Sequence, residues 1–152
     1  MKKIIIYTLL LLTLSLTGCG KDTEQILVFQ NELNSVVMKM EALDNKLNTI
    51  DVTAPDAAES ALKNLSDLKK AFDELSAINV TDKNYTYISG LADEGAEYMS
   101  KALEFYEKAY GQGKFDKGSA DLAYQYLERA TKRVRVMVTM LHGEVPEDVI
   151  LH

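Results

Sequence analysis

Apolar residues recur along most of this chain in steps of three and four. From residue 26 onward the row is Ile26, Phe29, Leu33, Val36, Met40, Leu43, Leu47 and Ile50. That spacing keeps one stripe of a helix apolar, as in the a/d seam of a coiled coil. Asp22 followed by Gln25 fits a capping box, so the pattern predicts a first helix over 22–50. Thr53-Ala54-Pro55-Asp56 restarts the chain, with Pro55 suited to a first turn and Thr53 with Asp56 to a second cap. Ala58, Ala61, Leu65, Leu68, Phe72 and Leu75 carry the same alternation through a second helix over 54–78.

Residues Asn79 to Asn84 read as a polar connection. A third helix follows over 85–110, with Ile88, Leu91, Gly95, Tyr98, Ala102, Phe105 and Ala109 as its seam. Glycine inside a helix costs about 1 kcal/mol relative to alanine, so Gly95 implies close approach of a neighbouring helix. Gly111-Gln112-Gly113 ends this helix. Asp116 or Ser119 caps a fourth, whose seam is Ala120, Ala123, Leu127, Ala130, Val134, Met137 and Leu141, and which Gly143 and Pro146 stop. No strand pattern or sequence repeat is evident. Four helices with short connections predict an all-α, antiparallel up-down four-helix bundle. A three-helix bundle with one broken segment is the competing fold.

The first residues follow a different rule. Lys2 and Lys3 precede Ile4 to Leu16, an apolar run of thirteen residues. Crossing a bilayer takes roughly 20 apolar residues, and a run of about this length matches the core of a signal peptide. Leu16-Thr17-Gly18-Cys19 then resembles the lipobox of bacterial lipoproteins: an aliphatic residue, two small residues and cysteine. The resemblance implies cleavage between Gly18 and Cys19, and a lipid with at least two acyl chains on Cys19. One chain holds a protein to a membrane only reversibly, whereas two anchor it stably. In layout the chain is similar to small Gram-positive lipoproteins with a helical-bundle mature part. It divides into a signal peptide (1–18), a lipidated tether (19–21), a bundle (22–143) and a C-terminal tail (144–152), and is expected at the cell membrane on its extracytoplasmic face.

The anchor sets an orientation. Three residues of tether span at most about 10 Å, so the bundle stands close to the headgroups and the first helix leads away from them. The 1–2 and 3–4 connections then lie at the far tip, and the 2–3 connection and the tail lie near the lipid.

The composition narrows function by exclusion. Of 152 residues, 134 follow the leader, enough for one core. The formal charge is −6 over the whole chain, hence −8 without Lys2 and Lys3. An acidic domain is a poor general binder of nucleic acid. Cys19 is the only cysteine, so no internal disulfide or second thiol is available. The two histidines, His142 and His152, fall in the last eleven residues. His142, Glu144, Glu147 and Asp148 surround a helix end and a tail, which suits solvation better than a metal site. Gly111-Gln112-Gly113-Lys114 has neither the length nor the preceding strand of a phosphate loop. The expectation is a non-enzymatic module without cofactor or metal.

Two patches remain. Arg129, Lys132, Arg133 and Arg135 form a basic stretch on the fourth helix, six to twelve positions before Leu141. That places them about 9–18 Å above the helix end, beyond the ~8 Å reach of unscreened charge, so pairing with carboxylates of neighbouring helices is expected rather than contact with lipid. The other patch is aromatic: Tyr106, Tyr110, Phe115, Tyr124 and Tyr126 surround the 3–4 turn. Positions 124 and 126 diverge by about 200° on a helix, so both cannot face the core. These five are the candidate partner-binding residues, for a protein or envelope component. A carrier or sensor holding a small apolar ligand between the helices is the alternative, with the small residues of helices 3 and 4 leaving the space.

Cys19→Ala is expected to block lipidation and leave an uncleaved precursor. Metabolic labelling with a fatty-acid analogue checks this; a variant still labelled, or still cut before residue 19, contradicts it.

Overall fold

The computed structural model describes residues 21–49, 56–83, 85–111 and 115–143. Four helices account for nearly all of them: α1 (Lys21–Thr49), α2 (Ala57–Ser76), α3 (Thr86–Tyr110) and α4 (Lys117–Leu141). The fold is an antiparallel four-helix bundle rather than a three-helix one. Polar contacts between helices fix the alternation of direction. Lys46 Nζ donates to Asn64 Oδ1 at 3.0 Å between the upper parts of α1 and α2, Ser76 Oγ donates to Asp93 Oδ1 at 2.7 Å between α2 and α3, and Arg133 Nε meets Glu94 Oε2 at 2.6 Å between α4 and α3. Each helix packs on its chain neighbours, while α1 barely touches α4.

The helix ends follow local chemistry. Asp116 caps α4: its Oδ1 accepts from the Gly118 N–H at 2.9 Å and its Oδ2 from the Ser119 hydroxyl at 2.8 Å. Those donors hold its carboxyl below the usual carboxylate range, the Ser119 hydroxyl foremost. Asp56 precedes α2 but makes no side-chain cap. Gly143 follows α4 with φ +76°, a left-handed conformation that turns the chain out of the helix, and its N–H donates to the Met140 carbonyl at 3.0 Å. The Asp22 side chain of the expected capping box lies outside those described, and Gln25 is seen in a different contact. Its Oε1 accepts from the Thr81 N–H at 3.1 Å and the Thr81 hydroxyl at 2.9 Å. This ties the beginning of α1 to the α2–α3 connection, so those two parts share one end of the bundle. The connection is also less polar than its sequence suggests, because Ile78 and Val80 pack against the core.

Every buried side chain among the described residues is apolar. Phe29, Leu33 and Val36 of α1 face Leu65, Leu68, Phe72 and Leu75 of α2, and these bulky residues meet a compact α3–α4 pair. The α3–α4 contact is the most extensive among the described helices, and the buried Ala92, Ala102 and Ala109 of α3 and Ala123 and Ala130 of α4 carry almost no bulk to hold neighbouring helices apart. Gly95 explains the third helix's tolerance of glycine: a β-carbon there would lie 3.1 Å from Cε1 of Phe72 and 3.7 Å from Cβ of Arg133. The expected seam of α3 is corrected at Tyr98 and Phe105, which are only half-buried, while Ala92 and Met99 are buried in their place. Met40, Ala58, Ala61, Ala120, Leu127 and Leu141 are likewise half-buried. Leu47 and Ile50 lie outside the side chains described, as do the Thr53-Ala54-Pro55 restart, Gln112, Gly113 and Pro146.

Leu33 and Leu68 each sit fully enclosed near the middle of a helix, so Leu33→Ala or Leu68→Ala is expected to lower stability by about 2–5 kcal/mol. Gly95→Leu is expected to do comparable harm by driving the Phe72 ring away. Thermal melts followed by circular dichroism check both; unchanged midpoints in all three variants contradict this core.

Candidate functional site

Apart from exposed Tyr87 at the start of α3, the helical register sorts the aromatic side chains of α3 and α4 into two groups on different flanks of their contact. Along α3, Tyr98 and Phe105 are seven residues apart and share a flank, whereas Tyr106 and Tyr110 are four apart and turn towards the other. On α4, Tyr124 and Tyr126 diverge in the same way.

The first group runs along the side of the bundle. Tyr126 stacks on Phe105 with ring centroids 5.6 Å apart and on Tyr98 at 6.3 Å. Cations cover these rings. The Arg129 guanidinium lies 5.3 Å from the Tyr126 centroid and 5.9 Å from that of Tyr98, Arg133 lies 5.6 Å from Tyr98, Lys101 5.6 Å from Tyr126 and Lys108 4.9 Å from Phe105. Three of these cations also pair with α3 carboxylates: Arg133 with Glu94, Lys101 with Glu97 and Lys108 with Glu104. The hydrogen bond from Lys101 to Glu97 raises the lysine's pKa. Much of the basic stretch of α4 is thus engaged inside the molecule, Arg133 by a carboxylate and Arg129 by rings. Tyr126 belongs here, apart from the other four candidates.

The second group forms the tip. The backbone closes the α3–α4 turn through the Asp116 N–H, which donates to the Ala109 carbonyl at 3.0 Å. This places Phe115 back against the last turn of α3, its ring 5.3 Å from that of Tyr110. Tyr110 in turn stacks on Tyr106 at 6.4 Å. Tyr106 is half-buried, and burial together with the Tyr110 and Tyr124 phenols pushes its pKa up. The result is a row of three contacting rings, Phe115–Tyr110–Tyr106, anchored at Tyr106, with the Tyr124 phenol near enough to Tyr106 to influence its charge. Three of these four rings are open: Tyr110 is 43% exposed, Phe115 56% and Tyr124 62%. Of the five residues expected around the turn, Tyr106, Tyr110 and Phe115 are in ring contact; the sequence gave no sign of the second row, because Tyr98 and Phe105 fit the core seam as well as the flank.

Neither conspicuous recess among the described residues resembles an enclosed apolar cavity. One, of about 340 Å³, opens between α1 and α2 and is lined by Lys39, Lys46, Lys70, Asn64 and Asp67 with Leu43 and Leu68 at its floor. The other, of about 330 Å³, is a shallow depression on α4 beside Gln125, Glu128, Arg129 and Lys132. The described residues contain no group of histidine, cysteine and carboxylate side chains placed to hold a metal ion, and no helix long and apolar enough to cross a membrane. Gly18, Cys19, Glu144, Glu147, Asp148 and His152 lie outside them. No family model, curated protein or solved structure matches this chain.

Burial favours the neutral Tyr106 phenol, so the stability this group contributes is full below its ordinary pKa of 10.0 and is lost as pH rises through its higher folded value. In an ultraviolet titration Tyr106 is expected to ionise above the ordinary tyrosine range, and Tyr106→Phe to remove that late component. A titration curve unchanged by Tyr106→Phe in its upper range contradicts this burial.

Proposed function

We propose that this protein is a lipid-anchored interaction module on the extracytoplasmic face of a bacterial cell membrane, and that it captures a protein or envelope component through the tip of α3 and α4 without chemistry of its own. The observation that carries the reading is the row Phe115–Tyr110–Tyr106, held at Tyr106 by partial burial and open at Tyr110 and Phe115, with exposed Tyr124 near Tyr106. Contiguous exposed apolar surface is a mark of binding sites, whereas single exposed apolar residues are ordinary. Tyrosine and phenylalanine bury a large area with few rotatable bonds, and a few such residues dominate most interfaces.

The polarity of the bundle supports the same reading. The Gln25–Thr81 bonds put the α2–α3 connection beside the start of α1, and α3 carries the chain about 37 Å from there to the tip. With a lipid on Cys19, two residues before α1, the α2–α3 connection faces the membrane and the aromatic row faces away. The carrier alternative gains no support: the small residues of α3 and α4 draw the two helices together rather than leaving room between them.

Phe115→Ala combined with Tyr110→Ala, or with Tyr124→Ala, is expected to reduce capture of partners in pull-downs from membranes while leaving the melting temperature near that of the parent. Lost stability together with lost capture means the rings serve only the core. Normal stability with undiminished capture moves the functional surface elsewhere, the outer flank of α1 and α2 being next.

A further inference from the structure

The outer face of α1 differs from those of the other helices. α1 packs on α2 and barely touches α4. From 27 to 38 its exposed residues are Leu27, Val28, Asn31, Asn34 and Met38, and none is charged. Glu32 is the one ionisable residue in the stretch. It is half-buried, and it lies seven residues before Lys39, which pairs with Glu74 of α2. In the middle of the other helices the exposed residues are all charged: Asp67, Lys70, Asp73 and Glu74 on α2, Asp93, Glu94, Glu97 and Glu104 on α3, and Glu128, Arg129, Lys132 and Arg135 on α4. Leu27, Asn31, Asn34 and Met38 follow steps of four, three and four, so they form one strip along the helix. The strip lies on the far side from the buried Phe29, Leu33 and Val36. α1 thus carries two seams of coiled-coil spacing, one in the core and one open.

Taking the lipid anchor from the reading above, we propose that this strip pairs with the same strip of a second copy of the chain, in a parallel dimer standing on one membrane. Self-complementarity selects this occupant. A twofold contact brings each residue near its own counterpart. Leucine meets leucine, methionine meets methionine, and an asparagine amide, which both donates and accepts, can bond its like. A charged residue in the strip would meet its own charge. The chain is acidic, with a net charge of −6, so two copies repel, and the strip lets them approach without opposing charges. Anchors at the start of α1 hold both copies upright with residues 27–38 at one height. Asparagines at seam positions fix register at some cost in stability. Glu24, one turn before Leu27, and Glu41, one turn after Met38, bound the strip. The contact is therefore only about 17 Å long. Contacts of this size are weak and transient, and confinement to one bilayer raises the effective concentration of the two copies. A different protein or the lipid surface needs no such matching of like with like.

Cysteine cross-linking of the full-length lipoprotein in vesicles tests the proposal. Leu27→Cys and Met38→Cys are each oxidised with copper phenanthroline and read as disulfide dimers. Lys70→Cys, exposed on α2, reports random collision. Both strip variants are expected to cross-link to themselves several times faster than Lys70→Cys. In a mixture of the two, 27–38 pairs are expected to be rare, since the positions lie about 17 Å apart along a parallel pair. Adding Asn31→Lys with Asn34→Lys to Met38→Cys is expected to slow its cross-linking roughly tenfold or more, because like charges then face each other, with little change in melting temperature. Cross-linking at 27 and 38 no faster than at 70, or undiminished by the two lysines, overturns the dimer; that result leaves the strip to a different partner. Frequent 27–38 pairs overturn its parallel direction. The anchor is judged separately. A disulfide dimer in the parent shows a free Cys19 thiol and refutes the anchor, and the same rates measured with Cys19→Ser then decide on the strip.

Discussion

The close seating of α3 against α4 and against the Phe72 ring governs much of the rest. Gly95 leaves a space that Phe72 fills to within 3.1 Å of where a side chain would begin, and the buried alanines of α3 and α4 allow their backbones to approach. Two helices that close cannot hold a tyrosine or phenylalanine ring between them. The rings of α3 and α4 are therefore displaced to the margins of the contact, and the registers of the two helices decide which margin each one takes. The side stack of Tyr98, Tyr126 and Phe105 and the tip group of Phe115, Tyr110, Tyr106 and Tyr124 are thus two outcomes of one packing constraint.

The two rows meet different chemistry. Along the side, Arg129, Arg133, Lys101 and Lys108 lie over the rings, and Glu94, Glu97 and Glu104 balance three of these charges. Such exposed pairs add little stability individually, but they cover apolar surface. The tip has no such cover at Tyr110, Phe115 and Tyr124. Only Tyr106, half-buried beneath them, ties the row to the bundle. A rigid inner ring with open outer rings presents apolar area that is already ordered, which reduces the entropy lost on binding.

The steps of three and four along the chain made the helices legible. The ends of α3 and α4 fall within a residue or so of those expected, and Asp116 caps α4 as its position suggested. Burial within α3 was less legible. Steps of three and four fit two adjacent faces of one helix nearly equally, and α3 packs on both α2 and α4, so its buried surface is wider than a single seam. Met99 and Ala92 occupy that extra width. Gln25 was also less legible: a glutamine near a helix start can reach across to another segment, and its bonds to Thr81 depend on where the α2–α3 connection lies. At the tip, the divergence of Tyr124 from Tyr126 was readable from helical geometry, whereas the exclusion of rings from the α3–α4 contact depended on how closely those helices approach.

The central claim is one of polarity: a lipid at the start of α1 and an aromatic surface at the opposite end. On the proposed lipidation of Cys19, an introduced cysteine would be the only reactive one. Lys83→Cys in the α2–α3 connection and Lys117→Cys at the start of α4 can each carry a fluorophore on the lipoprotein in vesicles whose headgroups bear a nitroxide quencher. Strong quenching at 83 with little at 117 is the predicted result. Equal quenching at both positions, or stronger quenching at 117, would contradict the account.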